Sequence, residues 1–369
     1  MAYEFPIDPA ELFAERRPQM LSTGLPAADV EAVRAAVREM WPDAPGGWCY
    51  EWSALARRYA DAGQSNLSVL AYGWAKFPTL ANPAKRTALK LQLEQYLPLA
   101  SKFPGHFERK VLDIPHQGSR TPVPVHIFAA PGLAEDAPVI LASGGVDGWK
   151  MDFHDIFAGL AMQGTGRVMV FDVAGTGETE VPLSAEGGGE IVSGLIAEAR
   201  ASGARKVAHL GISLGGYFAA RTGLSGEVDA AIDWGGPVEA SFAPGRSRQF
   251  GMSDIVGNAL GYDHRPDPTE LAATLAPFSL RPLLDQDRNA PMLIINGADD
   301  VHVPQHDTLV FEGRRDTEVH LFPDAGHCAP TKIGEIMPII DRWLTRTLAA
   351  KRTREGINLV RGCSPTTTL

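Results

Sequence analysis

Ser213 stands at the centre of Gly211-x-Ser213-x-Gly215, within the segment HLGISLGGYF. A serine hydroxyl is a weak nucleophile until a base removes its proton, and the base needs an acid to orient it. Two later segments supply candidates. Asp300 lies in NGADDVHVP and His327 in DAGHCAP, so the chain order is Ser, Asp, His. This is one of the orders in which such a triad occurs. Together these residues would attack a carbonyl, pass the proton to the imidazole and return it to the leaving group. The competing reading of Ser213 is a serine that caps the following helix.

The flanking segments favour the nucleophile. KVAHLGI before Ser213 reads as a buried strand, and LGGYFAARTGL after it reads as a helix. A strand, a tight turn and a helix place a serine on a sharp elbow, and the turn demands small neighbours at Gly211, Gly215 and Gly216. Asp300 follows the strand APMLIING, and His327 follows TEVHLFPDAG. Asp299 is the rival acid, expected to point away from the site at the strand end. His126, His209 and His320 fall inside strands, and His302 and His306 would require acid and base from one loop. The oxyanion needs two N–H donors. One is expected from Leu214. The other is expected from the loop GGVDGWK, at Val146 with Gly145 as the alternative. Asp147 in that loop is expected to turn away from the oxyanion and to fix the loop or pair with Lys150. FDVAGTGETE carries neither GxxxxGK[ST] nor a GxGxxG opening a helix, so it reads as a structural turn.

These segments belong to a regular alternation. PVILASGG, GRVMVFDVAG, KVAHLGIS, VDAAIDWGG, APMLIINGADD and TEVHLFPDAG are strand-like runs separated by helical stretches. That pattern predicts an α/β fold with a mostly parallel central sheet, helices on both faces, and reactive groups on loops at the carboxyl ends of the strands. FERKVLDIP and VPVHIFAAP, joined by HQGSRT, read as a hairpin. Residues 1–105 read instead as helical, with Val30, Val33, Val37, Met40 and Trp41 on one helix face, followed by three further helices. Trp41, Trp48, Tyr50, Trp52, Tyr59, Tyr72, Trp74 and Phe77 are expected to form the core of that bundle. The sharper alternative puts one or two of them in a pocket shared with the next domain. The expected organisation is an N-terminal helical, cap-like domain (1–105), a catalytic domain (106–350) with a lid-like insertion at about 238–289, and a C-terminal tail (351–369).

With 369 residues, 44% hydrophobic and 21% charged, the chain has the composition of a globular protein. A net charge of −10 without a basic run argues against nucleic acid as a partner. No apolar run approaches the ~18 residues of a membrane span, and the first twenty residues do not read as a signal peptide. Cys49, Cys328 and Cys363 are few and far apart, which fits the cytoplasm better than a disulfide framework and gives no metal-ligand spacing. No metal or organic cofactor is expected. The expected partners are a small-molecule substrate and, as an assembly, a homodimer.

The motifs EWSALARRYADAG, AYGWAKFP, SGGVDGWK, FDVAGTGET, GISLGGYFAAR, DWGG, NGADDVHVP and DAGHCAP resemble one group of α/β-hydrolases. It contains the 2,6-dihydroxypseudooxynicotine hydrolases, the fungal polyketide-shortening hydrolases of pigment synthesis, and esterases related to the fermentation–respiration switch protein. The resemblance spans roughly residues 30 to 345 and implies the triad roles at Ser213, Asp300 and His327. It implies hydrolysis of a C–C bond in an activated aromatic or polyketide-like ketone, or of a carboxylic ester. An additional glutamate of the alkaloid hydrolase has only Glu239 as a counterpart in DWGGPVEASFAPGRSRQF, within a pattern that matches poorly. An acyltransferase, or a binding protein that has lost catalysis, would use the same fold.

Overall fold

Strands buried on both faces read as continuous apolar runs, and the computed structural model, which describes residues 2–246 and 248–349, builds the middle of its sheet from such runs. Five helices come first: α1 (Pro9–Ser22), α2 (Ala27–Ala36), α3 (Trp48–Asp61), α4 (Ser65–Lys76) and α5 (Pro83–Ala100). Then follow β1 (His106–His116), β2 (Ser119–Ala129), β3 (Val139–Ser143), α6 (His154–Met162), β4 (Arg167–Phe171), α7 (Ala185–Ala201), β5 (Val207–Ile212), α8 (Leu214–Ser225) and β6 (Ala230–Trp234). Helices α9 (Met252–Ala259), α10 (Pro268–Leu275) and α11 (Arg281–Leu284) precede β7 (Met292–Gly297), α12 (Gln305–Leu309), β8 (Thr317–Phe322) and α13 (Ile333–Ala349).

The strand order is β1-β2-β4-β3-β5-β6-β7-β8, with β1 and β2 antiparallel and the remaining six mutually parallel. The β1–β2 hairpin turns through Gln117 and Gly118, both at positive φ (48° and 74°), which matches the right-handed twist of the flanking strands. Side chains alternate across the pleat. Val139, Leu141, Val207 and Ile294 pack with α7 and α8 on one face, and Ile140, Ala142, Leu210 and Ile295 pack with α5 and α13 on the other.

Helices α1 to α4 share a third core. Trp48, Trp52, Trp74, Phe13 and Phe77 stack against one another there with ring centroids 4.5–6.2 Å apart. Asn82 caps α5 by accepting from the Lys85 N–H (3.2 Å), with Pro83 at the first helical position. Two expectations are corrected. The helix through Val30 and Val33 stops at Ala36, because Val37 is extended and the chain turns to bridge Glu39 to Gly47. Helix α1, opened by Asp8 and Pro9, was not anticipated as an element. The tail at 351–369, with Cys363, and residue 350 at the end of the expected catalytic domain lie outside the described residues. Among the described residues, no helix is long and apolar enough to cross a membrane.

Candidate active site

Ser213 occupies the turn between β5 and α8 with φ 56° and ψ −122°, a conformation that side chains other than glycine rarely adopt. Its neighbours have no room for a Cβ: one on Gly211 would lie 1.9 Å from the Gly215 carbonyl oxygen. The turn is therefore sharp for a steric reason, and the serine oxygen projects from the carboxyl edge of the sheet.

His327, on the loop after β8, meets it there. His327 Nε2 is 2.8 Å from Ser213 Oγ, and Nδ1 is 2.7 Å from Asp300 Oδ2. Asp300 is held in turn. Its Oδ1 accepts from the N–H groups of His302 (2.7 Å) and Val303 (3.0 Å), and its Oδ2 accepts from Asn296 Nδ2 (2.9 Å). Asp299 is exposed, as a strand-end residue pointing away would be. Burial works against the Asp300 carboxylate, but the charge and hydrogen bond of His327, the Val303 N–H and Asn296 outweigh it and hold the group at about 2. Burial likewise opposes a charged His327. Cys328 and Asp300 outweigh it, and the imidazole lies well above its ordinary range.

The loop after β3 faces the serine. Gly145 packs so closely that a Cβ on it would sit 2.9 Å from Ser213 Cβ. The Gly145 N–H is used within the loop, donating to the Gly148 carbonyl (2.8 Å), and so is not free for a ligand. Among the described residues, the N–H groups of Val146 and Leu214 donate to no protein group. Leu214 opens α8, so the positive end of that helix adds to its N–H.

Asp147 is corrected in its partner. It binds Arg16 of α1, with Asp147 Oδ2 2.7 Å from Arg16 Nη2, whereas Lys150 turns inward to Asp172 and to Glu178 (2.8 Å). Those contacts fold FDVAGTGETE into a structural turn: Asp172 also accepts the Lys150 N–H (2.8 Å) and the Glu178 N–H (2.9 Å). Glu239 pairs with Arg281 (3.1 Å) and His306 (3.3 Å) and lines neither cavity that reaches Ser213. His209 and His126 are buried in the sheet, where desolvation pushes them to about 3 and about 2. His302 turns its ring to Glu15 of α1 (3.2 Å), and its ring edge packs on His327 with centroids 5.3 Å apart.

Two cavities meet at Ser213 and His327. The larger, about 530 Å³, is lined by Arg16, Leu67, Leu70, Asp147, Phe153 and Trp234 among others. None of the eight N-terminal aromatic side chains considered above lines it; six are buried in the helical core with Trp41 packed against it, Tyr50 is half-exposed, and Trp74 and Phe77 also line a separate small cavity with Asp147, Gly148 and Asp152. The smaller, about 70 Å³, is walled by Val146, Leu214 and apolar side chains of the segment between β6 and β7. Sequence reasoning missed Arg16 and Arg248 at these walls, and Glu15 behind them on His302. The signal for Arg16 was weak: an arginine pair in a short charged helix, with its partner 131 residues away.

No protein-family model and no curated protein sequence matches the chain. Solved structures do. A structure titled AbyA5 wildtype is 21% identical, covering 91% of this chain and 98% of that one, with a TM-score of 0.74. The 2,6-dihydroxy-pseudo-oxynicotine hydrolase, one of the group that the sequence motifs resemble, is 19% identical over 90% of this chain and 95% of that one, with a TM-score of 0.68. The esterase LipW from Mycobacterium marinum is 18% identical over 72% and 89%, with a TM-score of 0.52. The chain has the α/β-hydrolase fold, and its likeness to the first two extends through the N-terminal helices.

Proposed function

We propose that this protein is a serine hydrolase that cleaves a C–C bond of an activated ketone through attack on its carbonyl. The observation that carries the serine-hydrolase part of the reading is the continuous hydrogen-bonded line from Ser213 through His327 to Asp300; the likeness to a 2,6-dihydroxy-pseudo-oxynicotine hydrolase supports the C–C part. Ser213 Oγ attacks the carbonyl carbon while His327 Nε2 takes the proton. Asp300 keeps the imidazole in the tautomer that presents Nε2. The N–H groups of Val146 and Leu214 hold the tetrahedral oxyanion. Collapse releases the leaving group with the proton from His327, and water, activated by the same imidazole, frees the acyl group. In this reading residues 1–105 roof the larger cavity as a cap domain on a catalytic domain of 106–350, and the insertion at 238–289 walls the smaller one.

Ester hydrolysis runs through the same groups and is the second reading. It is favoured by the cavity lining, since the N-terminal wall is aliphatic and polar rather than a flat aromatic slot. The test is turnover of 4-nitrophenyl esters and aryl β-diketones by wild type and Ser213→Ala, with products identified by mass spectrometry. Removing the nucleophile is expected to cost on the order of 10⁶ in kcat. Retention of a tenth of wild-type turnover would overturn the serine mechanism. Ester hydrolysis with no diketone cleavage would leave the esterase.

A further inference from the structure

The smaller cavity beside Ser213 is mostly apolar; apart from Ser213, His302 and His327, its polar lining is Ser241 and Arg248, both on the segment between β6 and β7. Among the described residues the Arg248 guanidinium makes a single hydrogen bond, from Nη2 to the Ser241 carbonyl (2.8 Å), and no ion pair. No acidic side chain of the described residues lines the cavity. Burial and the neighbouring charge of Arg246 both pull the Arg248 pKa down, as they do for a cation left without a counter-charge. A second, independent group points the same way. Ser241 also lines the cavity, is 6% exposed, and its hydroxyl is buried without a hydrogen-bond partner among the described residues. Among the described residues, the nearby acid Asp307 forms no ion pair with Arg248 and is engaged elsewhere. Its two oxygens are occupied behind the loop by the N–H groups of Val238 (3.1 Å), Glu239 (3.2 Å), Ala240 (2.6 Å) and Ser241 (3.0 Å), which fixes Ser241 in place.

A half-buried cation without a carboxylate partner and a buried unpaired hydroxyl lining the same small pocket fit an oxygen anion. Resting on the serine-hydrolase reading, we infer that Arg248 and Ser241 bind an anionic oxygen on the smaller part of the substrate, close to the scissile carbonyl. The volume of about 70 Å³ admits only a few non-hydrogen atoms, so the bulky part of the substrate lies in the cavity of about 530 Å³. Two sources share this chemistry. In a β-diketone, the bond between the attacked carbonyl carbon and the α-carbon breaks, and its electron pair moves onto the β-carbonyl oxygen as an enolate. Arg248 would hold that oxygen until the α-carbon takes the proton carried by His327. In a short dicarboxylic monoester, the anion is a carboxylate already present.

The test compares three substrates on the full chain: 4-nitrophenyl butyrate, 4-nitrophenyl hemisuccinate, and 1-phenyl-1,3-butanedione. The first is the neutral reference, the second carries the carboxylate, and the third yields the enolate. Wild type is expected to favour at least one of the latter two over the butyrate in kcat/KM. Arg248→Met is expected to lower that ratio about tenfold to a hundredfold, with Arg248→Lys restoring part of it. Cleavage of the diketone is expected to give benzoate and acetone, because the acetonyl part occupies the small cavity. The inference is overturned if wild type prefers the butyrate to both, if Arg248→Met leaves the ratio unchanged, or if the diketone yields acetophenone and acetate. The wild-type preference and product identity need no variant, so a misfolded Arg248→Met does not leave the question open. Butyrate hydrolysis that survives Ser213→Ala fails the serine reading instead, and Ser213-dependent hydrolysis without anion preference fails only this inference.

Discussion

Asp300 and Asp299 are adjacent carboxylates in very different surroundings. The first accepts four hydrogen bonds and faces His327; the second is exposed. Asp300→Asn should therefore keep the fold and lose roughly 10⁴ in kcat, since the amide favours the wrong imidazole tautomer. Asp299→Asn should change kcat little, and kinetics with thermal melting on both variants separates the two. The His327–Asp300 pair should set the pH dependence. A general base must be neutral to act, and the His327 imidazole lies well above its ordinary range. On the proposed mechanism, activity should therefore be lost as pH falls through a value above the ordinary histidine range. In Asp300→Asn the carboxylate no longer favours the imidazolium, so the acid limb of kcat/KM should move to lower pH. A limb that stays in place would remove Asp300 as the cause. For folding the sign is opposite: a raised imidazole stabilises the native state at low pH, and that contribution fades as pH rises through the raised value.

At the level of elements, the loop that carries Val146 is anchored to the helical layer. Lys76, at the end of α4 and almost wholly buried, pairs with Asp152 (2.6 Å). Asp152 also accepts from Gln92 of α5 (2.7 Å) and from the Trp149 N–H (2.7 Å). Lys76→Met removes one partner of a largely buried pair and should cost about 3 kcal/mol. Melting of Lys76→Met beside Lys76→Met/Asp152→Asn checks it, since the double variant should recover part of the loss. Such anchors explain the limits of sequence reading. The strands before Ser213 and Asp300 were legible because runs such as VAHLGI and MLIING are largely apolar and buried, whereas His327 follows the half-exposed edge strand TEVHLF. Contacts between distant segments carry no spacing signal. Arg16 with Asp147, Glu15 with His302 and Lys76 with Asp152 are ordinary surface types in sequence and become buried partners only after the layers meet. The end of α2 was obscured for another reason: Val37, Met40 and Trp41 keep an apolar period while the backbone has already left the helix. The tryptophans were legible as core material, and they pack in the core.

Across the whole molecule, one sheet edge gathers residues from every region of the described chain. Ser213, Asp300 and His327 follow β5, β7 and β8, Arg16 comes from the first helix, and Arg248 from the segment before α9. The position that matters most to this convergence is also the one held least comfortably. Ser213 at φ 56° stores conformational strain of about 1–3 kcal/mol that the packing around it must sustain. Glycine adopts that backbone freely and alanine does not. Ser213→Gly and Ser213→Ala should be equally inactive, yet the glycine variant should melt higher, by the equivalent of about 1 kcal/mol. Heat resistance and turnover are thus opposed at this single residue. A selection for thermal survival alone would drift toward glycine there and discard the serine proposed as nucleophile.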